Sequence, residues 1–123
     1  MFSVIICGSR NFEDYDLLRE KCDYYLSNKI KSGEKIIIIS GGARGADSLG
    51  EDYAKERGFE CKRFPADWDK YGKRAGYLRN NQMAEVANAC LAFLDPDSEN
   101  KGTKMMIRIA REKKLLVREI MEE

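Results

Sequence analysis

Residues 35–47 read Lys35-Ile36-Ile37-Ile38-Ile39-Ser40-Gly41-Gly42-Ala43-Arg44-Gly45-Ala46-Asp47, and this stretch decides the fold. Four consecutive isoleucines leave no polar face, so Lys35 to Ser40 reads as a strand covered on both sides, as in a parallel sheet. Three glycines in the next five positions make a tight turn that opens directly into a helix, Ala46 to Arg57. Ala46, Leu49, Gly50, Tyr53 and Ala54 form its inner stripe, small enough for close approach to a sheet, and Gly58 is a suitable C-terminal stop.

The same alternation continues both ways. Phe2 to Cys7 is an apolar, β-branched strand, and Asp14 to Ile30 a helix with Leu18, Cys22, Tyr25 and Leu26 on one face. Phe59 to Phe64 alternates like a strand nearer the sheet edge. A long loop, Pro65 to Arg74, precedes a third helix, Ala75 to Asn88, with Leu78, Gln82, Val86 and Ala89 on its stripe. Cys90 to Leu94 is a fourth strand and Asp95 to Gly102 a polar loop. Thr103 to Lys113 is a fourth helix and Leu115 to Ile120 the closing strand. The expected fold is α/β: a three-layer, Rossmann-like, doubly wound parallel sheet of about five strands in the order 3-2-1-4-5, forming one domain over residues 1–123. Such sheets bind ligands beyond the carboxyl ends of their strands, where the strand order reverses.

Composition narrows the classes. The 123 residues carry 22 Lys plus Arg against 21 Asp plus Glu, a net charge of +1, so no overall basic excess points to nucleic acid. No apolar run approaches the roughly 20 residues of a membrane span, and the apolar start lacks the basic head of a signal peptide. The four cysteines, Cys7, Cys22, Cys61 and Cys90, are widely spaced and read as reduced thiols of a cytoplasmic protein. The chain has 0 histidines, which removes His-based triads and His-ligated metals; neither metal nor cofactor is assigned.

The loops after the strands hold the candidate site. Gly8-Ser9-Arg10 offers a tight turn, a hydroxyl and a guanidinium fork, or simply a turn with a solvated arginine. Gly41, Gly42, Arg44 and Gly45 form a phosphate cradle whose amides and helix N-terminus would face an anion, although the spacing is neither the dinucleotide fingerprint nor a Walker loop. Asp47 either caps that helix or contacts a ribose hydroxyl. In the long loop, Trp68 and Tyr71 could stack on a base, or Trp68 could cover the sheet edge. Gly76 opens the third helix. Arg79 and Asn80 follow one turn inside it, where Arg79 reaches a phosphate or is merely solvated. Gly102 and Thr103 supply a last helix N-terminus with a hydroxyl, or a plain cap.

In this order, GSR, SGGARGAD, D-W-x-x-Y-G-x-x-A-G-x-x-R-N-x-x-M and a late GT resemble the SLOG superfamily, specifically its small members related to YspA and YpsA, from Val4 to about Ala110. The resemblance implies a module binding a nucleotide or nucleotide-derived signal, ADP-ribose-like ligands included, often as a homodimer. SGGARGAD is also similar to a segment of DprA, which binds single-stranded DNA. Arg79-Asn80-Asn81-Gln82-Met83 is similar to the R-K-x-x-M of the "lonely guy" enzymes, which cleave the N-glycosidic bond of a nucleoside monophosphate. Their second motif, P-G-G-x-G-T-x-x-E, survives here as Gly102 and Thr103, with Met106 at the glutamate position. A thioether supplies neither charge nor proton to an oxocarbenium-like state. If the chain is an enzyme, Arg79 orients phosphate and a carboxylate such as Asp47, Asp67 or Asp95 replaces the missing acid.

Overall fold

The computed structural model describes residues 1–122. Its strands are β1 (Phe2–Gly8), β2 (Ile36–Ser40), β3 (Glu60–Arg63), β4 (Ala89–Leu94) and β5 (Leu116–Met121). Its helices are α1 (Tyr15–Lys31), α2 (Ala46–Arg57), the short α3 (Trp68–Tyr71), α4 (Ala75–Val86) and α5 (Lys101–Glu112). The strands form one sheet in the order β3-β2-β1-β4-β5, all pairs parallel. Ile38 lies opposite Val4 on one side and Cys61 on the other. Ala92 lies between Cys7 and Glu119.

The isoleucine run behaves as its composition dictates. Ile36 and Ile38 point into one core with Val4, Leu18 and Tyr53, under α1 and α2. Ile37 and Ile39 point into the other with Ile5, Met83 and Ile107, under α4 and α5. A strand buried on both faces needs apolar residues at every position, whereas β3 at the sheet edge has all four residues exposed.

Three helical details depart from expectation. Tyr25 is 38% exposed, because Leu18, Cys22 and Leu26 alone fill the inner face of α1. The Pro65–Arg74 segment is no open loop: α3 and a 3-10 turn, Gly72–Arg74, occupy it, nucleated where the Asp67 carboxylate accepts the Lys70 amide at 3.1 Å. The buried stripe of α4 is Gly76, Asn80, Met83 and Ala84, while Gln82 and Val86 face outward and Leu78 is only half-buried. The helix is rotated so that its polar Asn80 enters the sheet side, where the strand-end loops meet it. Cys7, Cys22 and Cys90 are buried and Cys61 is exposed, all as free thiols. No helix among the described residues is long and apolar enough to cross a membrane.

Candidate functional site

The chain runs outward from β1 to β2 and β3, then returns to β4 on the opposite side of β1. The order therefore reverses between β1 and β4, and the loops leaving these two strands diverge there. A cavity of about 360 Å³ opens at this point. Its walls come from Gly8, Ser9 and Arg10 after β1, Asp47 on α2, Trp68 on α3, Gly76, Arg79 and Asn80 on α4, and Gly102 and Thr103 on α5. A second cavity of about 260 Å³ adjoins it; Gly41 and Gly42 line this one, and Arg10, Ala43, Trp68 and Arg79 line both.

The first two loops are stitched together. Ser9 donates its amide to the Phe93 carbonyl at 2.9 Å, and its own carbonyl accepts the Ala46 amide at 3.2 Å. Gly45 makes this possible: a Cβ there would collide with the backbone of Ser9 and Arg10. Gly45 thus serves loop packing and lines neither cavity, and nor do Arg44 and Tyr71. The Tyr71 ring is 43% exposed and lies beneath Lys70 Nζ, 5.1 Å from its centroid.

The glycine turn is built from its neighbours. Ser40 is fully buried, and its hydroxyl donates to Glu51 Oε2 at 2.7 Å while accepting the Gly42 amide at 3.0 Å. Gly42 adopts φ +76°, a conformation costly for other residues, with the Arg63 stem packed beside it. The Ala43 amide donates to Asp47 Oδ2 at 3.3 Å. Two amides expected to face an anion therefore serve Ser40 and Asp47 instead, because both side chains sit within the span of the turn.

Arg79 holds the wall between the cavities. Its Nη1 donates to the Gly41 carbonyl at 2.7 Å and its Nε to Asn80 Oδ1 at 2.9 Å. A Cβ on Gly41 would lie 2.6 Å from Arg79 Nη1 and 2.8 Å from Asp47 Oδ2, so a side chain there would push the ends of both groups aside. No carboxylate pairs with Arg79 or Arg10 among the described residues. Burial pushes the Asp47 carboxyl up to about 6; the Ala43 amide and the Arg79 charge pull it down only in part.

Helix capping separates this edge from the rest. α1 and α3 are capped by Asp14 and Asp67, whose carboxylates accept amides of the first turn. α2, α4 and α5 have no side-chain cap, and the first turn of each contributes to the cavity. The first amide of α2, Ala46, serves the Ser9 carbonyl, and that of α4, Ala75, serves the Gly72 carbonyl of the preceding 3-10 turn. The start of α5 has neither arrangement, and an uncapped N-terminus of that kind leaves amides and positive helix-dipole charge for an external acceptor. Several lining residues escaped sequence reasoning, Asn11 and Ser98 of the first cavity among them. Lys101 begins α5 and lines the first cavity; Arg63, the last residue of β3, lines the second. Asn100 bridges its loop in a left-handed turn, donating to Asp95 O at 2.8 Å and Ser98 O at 2.9 Å. The strand-end rule points to Arg63, but only the register shows that its side chain reaches the glycine turn. Met106 also lines the first cavity, so the position of the lonely guy glutamate does face it.

The five-stranded order, the two helical layers and the cavity at the reversal define a Rossmann-like α/β protein. The chain belongs to the YspA, cpYpsA-related SLOG family (YAcAr), whose profile matches residues 2–71. The Gene 61 protein of Mycobacterium phage D29 is 34% identical over 121 residues, covering 90% of both chains. Among solved structures, DNA processing protein A (DprA) of Streptococcus pneumoniae superposes with a TM-score of 0.71 at 18% identity. That match covers 99% of this chain, which spans 50% of the DprA chain. TM1055 superposes with a TM-score of 0.66 at 17% identity, over 95% of this chain and 72% of its own. At these identities the two structures share the fold.

Proposed function

We propose that the chain is a binding module for a phosphate-bearing nucleotide, held in the cavity between the β1 and β4 loops. One observation carries this reading: Arg79 and Arg10, unpaired with any carboxylate among the described residues, meet the uncapped N-terminus of α5 around one cavity. Helix N-termini and guanidinium forks are the groups that bind phosphate. Thr103, Ser9 and Asn80 would add polar contacts, and the half-exposed indole of Trp68 would carry the base. Family membership agrees with this reading.

A second reading, an N-glycosidase, is favoured by Asp47. A buried carboxyl titrating near 6 beside an arginine suits a general acid. Met106 at the cavity wall argues the other way, so binding stands first. DprA, a DNA-processing protein by name, supports single-stranded DNA as a third ligand class.

Calorimetric titration with the four nucleoside monophosphates, followed by chromatography for released base, separates these readings. Binding without base release, weakened at least about tenfold by Arg79→Ala, supports the module. Base release abolished by the same substitution supports the enzyme. Failure to bind any monophosphate, with retention of single-stranded DNA at low salt, moves the site to nucleic acid.

A further inference from the structure

We infer that the second cavity is a subsite for a second phosphoryl group of the same ligand, and that Arg63 selects it. This inference rests on the nucleotide reading of the first cavity. The two cavities are not independent: Arg79 and Trp68 form their common wall, and Arg10 and Ala43 line both. A ligand laid on the Trp68 indole therefore has a chamber on either side of it.

The second chamber is cationic too. Three arginines line it: Arg10 and Arg79, which no carboxylate pairs among the described residues, and Arg63, whose charge is shared with Glu51 behind it. Arg63 is held in place from behind. Its Nε donates to Glu51 Oε2 at 3.1 Å and its Nη2 to Glu51 Oε1 at 2.5 Å. Those bonds leave Nη1 for another acceptor. Glu51 is fixed in turn by the buried Ser40 hydroxyl, which also holds the Gly42 amide. Glu51 is a positioning residue: it orients the Arg63 fork and the glycine turn together. A guanidinium fixed edge-on to a carboxylate and facing a cationic pocket loses little side-chain freedom on meeting a phosphate.

The nucleoside monophosphate that binds most tightly is compared with its own 5′-diphosphate and its own 3′,5′-bisphosphate, by calorimetric titration of the intact protein. The two probes place the second phosphoryl group adjacent to or remote from the first, and so distinguish a pyrophosphate from a phosphodiester-type ligand. One of them is expected to bind about tenfold more tightly than the monophosphate. In Arg63→Met, which keeps the aliphatic stem beside Gly42, that gain falls below about threefold, while monophosphate affinity stays within about twofold of the original. Glu51→Gln turns an amide nitrogen toward the Arg63 fork, so one of its two bonds and its orientation are lost and the gain falls below about threefold; this arm decides if Arg63→Met fails to fold. If neither probe outbinds the monophosphate, or the gain survives Arg63→Met unchanged, the subsite is refuted and the nucleotide reading stands. If no monophosphate binds, both fall.

Discussion

Replacing Asp47 by asparagine separates the cost of its charge from the shape of its side chain. The carboxyl is 7% exposed and titrates at about 6 in the fold, chiefly because burial penalises its ionised form. Its ordinary value is 3.8, so the native state holds the proton more tightly by about two units, or roughly 3 kcal/mol. A raised carboxyl value means that native protein binds more protons than unfolded protein between about pH 4 and pH 6. Stability from this group is therefore fully present below that window and is lost as pH rises through it. An asparagine amide stays neutral and keeps an oxygen for the Ala43 amide. Urea unfolding of the original and of Asp47→Asn at about pH 4 and about pH 7.5 measures the effect. The stability difference between them should shift by roughly 3 kcal/mol in favour of Asp47→Asn as pH rises. Other carboxylates titrate in both proteins and cancel. Two parallel profiles, with the difference constant across the window, would refute the account of Asp47 as a buried, reluctant anion.

Gly8→Ala should destabilise by about 3 kcal/mol or more, seen as a lower urea midpoint, because the new Cβ would collide with the Phe93 carbonyl, a backbone group that cannot yield. Gly102→Ala meets nothing within 4 Å and should stabilise α5 by up to about 1 kcal/mol; a simultaneous loss of nucleotide affinity would mark close backbone approach by the ligand. Asp23 accepts from Tyr53 at 2.6 Å and from Arg57, and these bonds outweigh burial and hold its carboxyl below its usual value. Asp23→Asn should therefore cost about 1–2 kcal/mol at neutral pH, a difference that disappears as pH falls below about 4, in unfolding curves taken across that range.

The fold was legible because its strongest signals are non-local only in consequence. Ile36–Ile39 admits one environment, a strand covered on both faces, and the alternation around it limits the topology to few arrangements. The α4 stripe was misread because Leu78 and Val86 are apolar while Asn80 is not, and helical periodicity ranks residues by transfer energy alone. Asn80 is buried beside Arg79, to whose Nε its side chain is bonded, and Arg79 in turn reaches the Gly41 carbonyl, a tertiary contact with no signature in spacing. The loops were legible as a set that converges: of the residues singled out, all but Arg44, Gly45, Asp67, Tyr71 and Asp95 line one of the two cavities. What escaped was the division of labour inside the glycine turn. Which amides face outward depends on where the Ser40 hydroxyl and the Asp47 carboxylate end up, and that follows from α2 docking. Arg63 escaped for a related reason, since its role exists only through Glu51 twelve positions away.

The backbone stitching at Ser9 has an evolutionary consequence. The β1 turn, the start of α2 and the end of β4 are locked by main-chain bonds and by glycines whose neighbours leave no room for a side chain. Half of the rim is therefore a fixed jaw that point substitution cannot reshape without loosening the sheet. The opposing jaw, Pro65–Arg74 and Asp95–Asn100, is anchored at its tips by side chains, through Asp67, Asp95 and Asn100. Substitutions that reshape the rim are therefore tolerated first on that side-chain-held half, while the half locked by main-chain bonds keeps its shape.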